Sequence, residues 1–150
     1  MKIETKYHGN IELKENEVIT LEQGLPGFIG EKRFAILPFG EDSFFQIFQS
    51  VHKAELAFVI TNPFLFFKDY EFNVPESVRN QLKIEREQDV LTFVILTVKE
   101  PFDGTTANLK APLVVNSGSN LGKQIVLNDE EYQTKHLLIQ EPITSTKEEK

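Results

Sequence analysis

Short apolar segments, separated by turn-forming residues, recur along almost the whole sequence. Near the start, Ile3, Thr5 and Tyr7 alternate with charged residues, which is the two-residue period of a strand with one buried face. The turns at 8–10 and 24–28 contain glycine, which reaches φ > 0, and the second also contains proline, which fixes φ. This pattern predicts a mainly β fold, with strands at 3–7, 11–13, 18–21, 33–37, 44–49, 56–61, 90–98, 113–115 and 122–127.

One segment, 75–84, has a helical period instead. Val78 and Leu82 lie four residues apart and therefore share one helical face. Pro75 suits the first turn of a helix, where its missing N–H costs nothing, and Asn73 is the better capping type of the two residues before it. The narrow apolar stripe predicts a short helix that covers one end of a barrel or sandwich.

Strands at short intervals with one helix favour a closed or nearly closed β-barrel-like single domain, with a sandwich as the alternative. We expect this domain to span 1–139 and a polar, flexible C-terminal tail to follow at 140–150. Pro112 cannot donate to a β ladder, so we expect it at an edge or a bulge. The small polar residues of 116–122 predict a hairpin connection.

The composition excludes several kinds of function. The chain has 150 residues and no cysteine, which excludes disulfides, thiolate metal sites and a cysteine nucleophile. Its 23 acidic residues against 16 lysines and arginines give a net charge of −7, which lacks the basic character that non-specific nucleic-acid binding requires. The first residues do not form a secretory leader, and the apolar runs are too short to span a membrane. These features predict a cytoplasmic protein with no direct nucleic-acid partner and no membrane partner.

The sequence shows no recognisable catalytic or metal-binding motif. His8, His52 and His136 lie at none of the close spacings that are typical of simple metal sites. The segment 118–123 is one residue too short for a phosphate-binding P-loop and predicts a hairpin turn. We therefore expect no enzyme activity, no cofactor, no metal and no small-molecule substrate.

Two alternatives stay open when the residues are considered alone. A small nucleic-acid-binding barrel of the OB type would carry a basic face despite the negative total. A hydrolase would have a concave pocket that holds a histidine or carboxylate of shifted pKa.

The densest aromatic segment, 62–72, is the first candidate protein-binding surface. A strand buries only alternate residues on one face, so the consecutive apolar residues 64–67 cannot all enter one core. Exposed aromatic side chains anchor interfaces, and acidic neighbours steer basic partners. The candidate residues are Phe64, Phe66, Phe67, Tyr70 and Glu71, with ordinary core packing as the alternative role.

A second candidate surface lies in the polar segment before Pro112. A proline-interrupted segment at a sheet edge would be available for pairing with another chain. Ladder formation within the fold is the alternative. The candidate residues are Ala107, Asn108, Leu109 and Lys110.

Five segments, taken together and in this order, resemble the flagellar assembly factor FliW family. They are 24–28 (GLPGF), 62–64 (NPF), 69–70 (DY), 106–116 (TANLKAPLVVN) and 122–124 (GKQ). The resemblance covers about residues 2–138 and implies a β-barrel-like protein without enzymatic activity. It also implies two protein partners, which are flagellin held in the cytoplasm before export and the RNA-binding translational repressor CsrA. The implied mechanism is partner switching, in which the protein free of flagellin antagonises CsrA and accumulated flagellin sequesters the protein.

Overall fold

The computed structural model describes residues 1–41 and 44–139. Within these ranges the chain is mainly β, with one short α-helix and several single 3₁₀ turns. The predicted tail at 140–150 lies outside the described residues. The strands are β1 (Lys2–Glu4), β2 (Asn10–Glu12), β3 (Ile19–Thr20), β4 (Arg33–Pro38), β5 (Phe45–Ser50), β6 (Ala57–Thr61), β7 (Val90–Thr97), β8 (Thr106–Ala107), β9 (Leu113–Asn116), β10 (Leu121–Gln124) and β11 (His136–Leu137), and the helix is α1 (Glu76–Gln81).

Seven strands close into a barrel in the order β7-β6-β5-β4-β3-β10-β9. The ring closes where β9 returns to β7, with Val90 opposite Asn116 and Phe93 opposite Leu113. Neighbouring strands are antiparallel except for β3 and β10, which run parallel. The predicted mainly β, closed barrel with one short helix is confirmed, and closure leaves these seven strands without an open edge.

Three clusters of buried apolar side chains form the core. In one of them Phe34 of β4 and Phe48 of β5 stack with ring centroids 4.4 Å apart, and both are fully buried. A second cluster lies beneath the β1–β2 hairpin and contains Ile3 and Leu13. The third joins α1 and the aromatic segment to the barrel strands, and it includes Tyr70, which positions the candidate site described below.

The helix begins one residue later and ends three residues earlier than predicted. Pro75 occupies the capping position rather than the first helical position, and no side chain caps the helix, so the expectation of an Asn73 cap was wrong. The extended ψ of 149° at Pro75 lets its carbonyl oxygen accept bonds from the N–H groups of Val78 and Arg79. The apolar stripe is as predicted, because Val78 and Leu82 are both buried in the core cluster.

Strands β8 and β9 run along the same edge of β7, and a bulge separates them. Ala107 pairs with Leu96 and Leu113 pairs with Phe93, so the five residues 108–112 face only two residues of β7. Pro112 lies at the end of this bulge and directly before β9, where its missing N–H leaves no ladder bond unmade. Because β9 pairs with β7 and β10 on its two sides, Pro112 marks a bulge and not a sheet edge.

The last strand, β11, was not predicted. It is two residues long, pairs with β8 and places His136 opposite Ala107. A segment of two residues shows no detectable period, so only the tertiary pairing defines it as a strand. The predicted hairpin at 116–122 is confirmed, since Leu121 pairs with Asn116 in the antiparallel β9–β10 ladder.

Candidate protein-binding site

The aromatic segment forms a turn, and the turn divides its side chains between surface and core. The Asn62 side-chain oxygen accepts a 2.9 Å hydrogen bond from the Phe64 N–H, which starts a 3₁₀ turn over Pro63–Leu65. Phe64 and Leu65 remain 46% and 52% exposed as a result. Consecutive apolar residues therefore form a ridge here, which a regular strand would not allow.

The rest of the first candidate set differs in burial. Phe66 is half-buried and stacks on Phe45, with ring centroids 5.9 Å apart. Phe67 and Tyr70 are buried, and Glu71 is exposed. Phe64 and Glu71 therefore present their side chains to solvent, whereas Phe67 and Tyr70 support the surface from beneath.

The second candidate set is part of the bulge, and its backbone is already paired. Ala107 and Leu109 are buried, and the N–H groups of Leu109 and Lys110 both donate to the carbonyl oxygen of Gln133. The expectation of an open edge at 107–110 was wrong, because the chain from 133 to 137 runs over this segment.

Asn108 gives the bulge its shape. Its N–H donates to the Ile95 carbonyl oxygen at 3.0 Å, and its side-chain oxygen accepts bonds from the N–H groups of Lys110 and Ala111. A short polar side chain that bonds the backbone two and three residues later is a typical means of holding a tight local turn.

Tyr70 connects the two candidate sets. Its hydroxyl donates a 2.7 Å hydrogen bond to the Leu109 carbonyl oxygen, and only 4% of the residue is exposed. Burial, followed by the neighbouring Tyr132, raises the pKa of Tyr70 above its ordinary value. The hydroxyl therefore stays protonated and remains a donor at neutral pH.

Tyr132 packs against Tyr70 and also contacts Glu71. Its ring meets that of Tyr70 edge-on, with centroids 4.8 Å apart at 75°. Its hydroxyl oxygen accepts a 3.2 Å bond from the Glu71 N–H. The segment that follows β10 thus contacts both candidate sets, the first through Tyr132 and the second through the Gln133 carbonyl oxygen.

These contacts create an open cleft of about 270 Å³, here called the aromatic cleft. A recess beside it shares five of its residues and adds two further carboxylates, those of Glu71 and Asp129. The residues that line the aromatic cleft are Phe67, Lys68, Asp69, Tyr70, Leu109, Glu131, Tyr132 and His136.

Part of this cleft was not predicted from the sequence. Tyr132, His136 and Glu131 were not among the candidate residues, although carboxylates next to an aromatic residue repeat the pattern of the candidate segment 62–72. Their position beside Tyr70 depends on the chain returning over β8, which no local pattern indicates.

A second recess, here called the apolar groove, lies on the other side of the bulge. Asn108 and Ala111 line the groove whereas Leu109 lines the aromatic cleft, so the bulge forms a wall between the two recesses. The groove has no charged side chain in its lining. It is lined by Leu25, Pro26, Phe28, Phe58, Ile95, Asn108, Ala111, Gln124 and Val126.

Neither recess has the ligand set of a metal centre. Across residues 1–41 and 44–139, no group of three or more histidine, aspartate or glutamate side chains is arranged to hold a metal ion. The same part of the chain contains no helix long and apolar enough to cross a membrane. What the two recesses offer is contact surface, one acidic and aromatic and the other apolar.

Comparison with known proteins identifies the family. The model of the FliW protein family matches residues 2–138. The flagellar assembly factor FliW of Geobacillus sp. (strain WCH70) is 51% identical over 143 residues, which is 95% of this chain and 99% of the relative. That of Bacillus subtilis (strain 168) is 51% identical over 136 residues, which is 91% of this chain and 95% of the relative. A crystal structure of the flagellar assembly factor FliW matches with a TM-score of 0.89 at 48% identity, over 95% of this chain and 100% of that chain. The chain therefore belongs to the FliW family of flagellar assembly factors.

Proposed function

We propose that this protein couples flagellin synthesis to flagellin export by switching between two protein partners in the cytoplasm. One partner is flagellin before export, and the other is a CsrA-type translational repressor. Free of flagellin, the protein binds the repressor and relieves repression of flagellin synthesis. Accumulated flagellin occupies the protein and returns the repressor to its RNA.

The observation that carries this proposal is family membership over nearly the whole chain, from residue 2 to residue 138. The arrangement of the surface agrees with a role in binding. Two recesses lie on either side of one bulge, and an exposed ridge at Phe64 and Leu65 adds apolar contact area. We propose that the protein acts through these surfaces and not as an enzyme.

Charge supports the choice of a basic partner over RNA itself. A net charge of −7 attracts a basic RNA-binding protein and speeds the encounter, whereas it repels phosphate. Acidic surface placed beside the repressor's RNA site would also oppose RNA binding. We therefore expect antagonism of the repressor to weaken as salt rises. Antagonism that stays constant between low and high salt would contradict the electrostatic contribution.

Reconstitution tests the proposal directly. The repressor is bound to the leader of the flagellin transcript in a gel-shift assay, and the purified protein is added. We expect release of the RNA, followed by renewed repressor–RNA complex when flagellin is added. A shift of the RNA by the protein alone would instead support the OB-type nucleic-acid-binding alternative.

Co-purification tests the same proposal in the cell. The tagged protein, expressed at native abundance, should recover both flagellin and a CsrA-type protein. Recovery of neither partner would contradict the proposed function.

A further inference from the structure

Two residues that line the aromatic cleft carry hydrogen-bond donors for which residues 1–41 and 44–139 offer no acceptor. Tyr132 is only 9% exposed, and its hydroxyl oxygen accepts from the Glu71 N–H, but no acceptor for its own hydrogen occurs within the described part of the chain. The His136 Nε2 accepts a 2.7 Å bond from the Gln133 N–H, which places the ring proton on Nδ1. Both residues line the cleft. Donors that have no acceptor among the described residues suit carbonyl oxygens, as along a peptide backbone.

The rim of the cleft is acidic, and its charge is not balanced. Four carboxylates line the cleft and the recess beside it, against the single cation of Lys68; they belong to Asp69, Glu71, Asp129 and Glu131. All four residues are exposed. The ion pairs found among residues 1–41 and 44–139 lie elsewhere, at the N-terminus with Glu12, at Arg33 with Glu15 and at Arg86 with Asp89.

Three kinds of occupant can be compared against this chemistry. A metal ion would find no suitable set of ligands, since no three metal-binding side chains converge within the described ranges. A phosphate or nucleic acid would meet four carboxylates. A peptide with cationic side chains satisfies the donors that line the cleft with its backbone, and the carboxylates and ring faces with its side chains.

We infer that the aromatic cleft binds a lysine- or arginine-bearing segment of the basic protein partner. The inference rests on the proposed function, in which that partner is the RNA-binding repressor. Backbone carbonyl groups of the segment accept from the Tyr132 hydroxyl and His136 Nδ1, and its cationic side chains lie beside Asp69 and Glu131. The cleft is thereby assigned to the repressor and not to flagellin.

Calorimetric titration of the purified protein with the purified repressor tests this assignment. In the cleft variant, Asp69→Asn is combined with Glu131→Gln; in the matched control, Glu4→Gln is combined with Glu55→Gln. The control positions are exposed, line neither the cleft nor the groove, and change the net charge equally. None of the four side chains makes a hydrogen bond or ion pair within the described residues, so we expect all the variants to melt like the parent protein.

We expect the cleft variant to lose about tenfold or more in affinity for the repressor, with a weaker dependence on salt, and the control variant to lose less than about threefold. Titration with flagellin should give equal affinities for the parent, cleft and control proteins. Equal losses in both variants would show that net charge acts without a site, and unchanged repressor binding in the cleft variant would exclude the cleft. A loss confined to flagellin would assign the cleft to the other partner. Each of these three results overturns the inference while the proposed function stands, whereas failure of the parent protein to bind the repressor contradicts the proposed function itself.

Discussion

Gly24 occupies the most confined backbone position in the loop beside the apolar groove. Its φ is +69°, and a Cβ atom placed on it would lie 2.5 Å from the Ile29 carbonyl oxygen. Gly27 in the same loop also has a positive φ, +85°, but faces open space. Glycine is therefore required at these two positions for different reasons. Position 24 requires both the positive φ and the absence of a side chain, whereas position 27 requires only the positive φ.

We predict that Gly24→Ala lowers the free energy of unfolding by about 3 kcal/mol or more, for two reasons. Alanine disfavours the left-handed backbone conformation, and its Cβ atom would force the backbone at Ile29 to move. The matched variant Gly27→Ala should lose only about 1 kcal/mol, the conformational part alone. Urea unfolding of the two variants measures the difference. Equal losses would contradict the close contact at Gly24.

The burial of Tyr70 makes the stability of the protein depend on pH. Its pKa is raised in the folded protein, so the unfolded chain releases the hydroxyl proton at a lower pH than the folded protein does. The stabilising contribution is complete below the ordinary tyrosine value of 10.0 and is lost progressively above it.

We therefore predict that the free energy of unfolding falls above about pH 10 and that Tyr70→Phe reduces this fall. At neutral pH the same substitution should cost about 1–3 kcal/mol, because the buried Leu109 carbonyl oxygen loses its donor. Urea unfolding over a series of pH values tests both effects. An identical pH dependence in the parent and Tyr70→Phe proteins would contradict the raised pKa.

Helix α1 is too short to be stable alone and depends on contacts with the barrel. It has six residues and no side-chain cap, and helices of this length do not persist alone in water. Its C-terminal end is fastened by Asn116 of β9, whose side-chain N–H groups donate to the carbonyl oxygens of Leu82 and Lys83 at 2.8 and 3.0 Å. The helix is thus fastened to the strand that closes the barrel.

We predict that Asn116→Ala lowers the free energy of unfolding by about 2–3 kcal/mol, since Asn116 is only 3% exposed and both the Lys83 carbonyl oxygen and the Gly118 N–H lose their partner. The Leu82 carbonyl oxygen keeps only the bond from the Ser119 hydroxyl. Amide hydrogen exchange should quicken first at 76–84. Asn120→Ala is the control, because its side-chain N–H donates to the Asn16 carbonyl oxygen at an exposed site and does not touch the helix. Unchanged exchange at 76–84 in the Asn116 variant would contradict this role.

The 13 phenylalanines of the chain include both core and surface residues. Phe34 and Phe48 stack in the barrel core without exposure, whereas Phe64 lies on the surface at 46% exposure. The first pair stabilises the fold, and the ridge residue leaves apolar area at the surface.

We predict that Phe48→Ala lowers the free energy of unfolding by about 3–5 kcal/mol, because a cavity forms beside Phe34. Phe64→Ala should change it by less than about 1 kcal/mol, since the exposed side chain leaves no enclosed cavity. Thermal or urea unfolding of the two variants gives the comparison. A large loss in the Phe64 variant would show that this side chain belongs to the core.

The class of fold, the helix face and the turns could be predicted from the sequence, since each depends on residues that are neighbours along the chain. The Val78–Leu82 spacing and the glycines of 24–28 act through local backbone geometry, and the structure retains both. The strand predicted at 3–7 was wrong beyond Glu4, because β1 ends there and Tyr7 is 47% exposed. Tertiary structure alone decided β11, the bulge at 108–112 and the meeting of Tyr70 with Leu109 and Tyr132. These contacts join residues 29 to 62 positions apart. Such contacts form only when barrel closure carries the chain back over itself, because the entropy lost in closing a long loop is recovered from packing and not from any local preference.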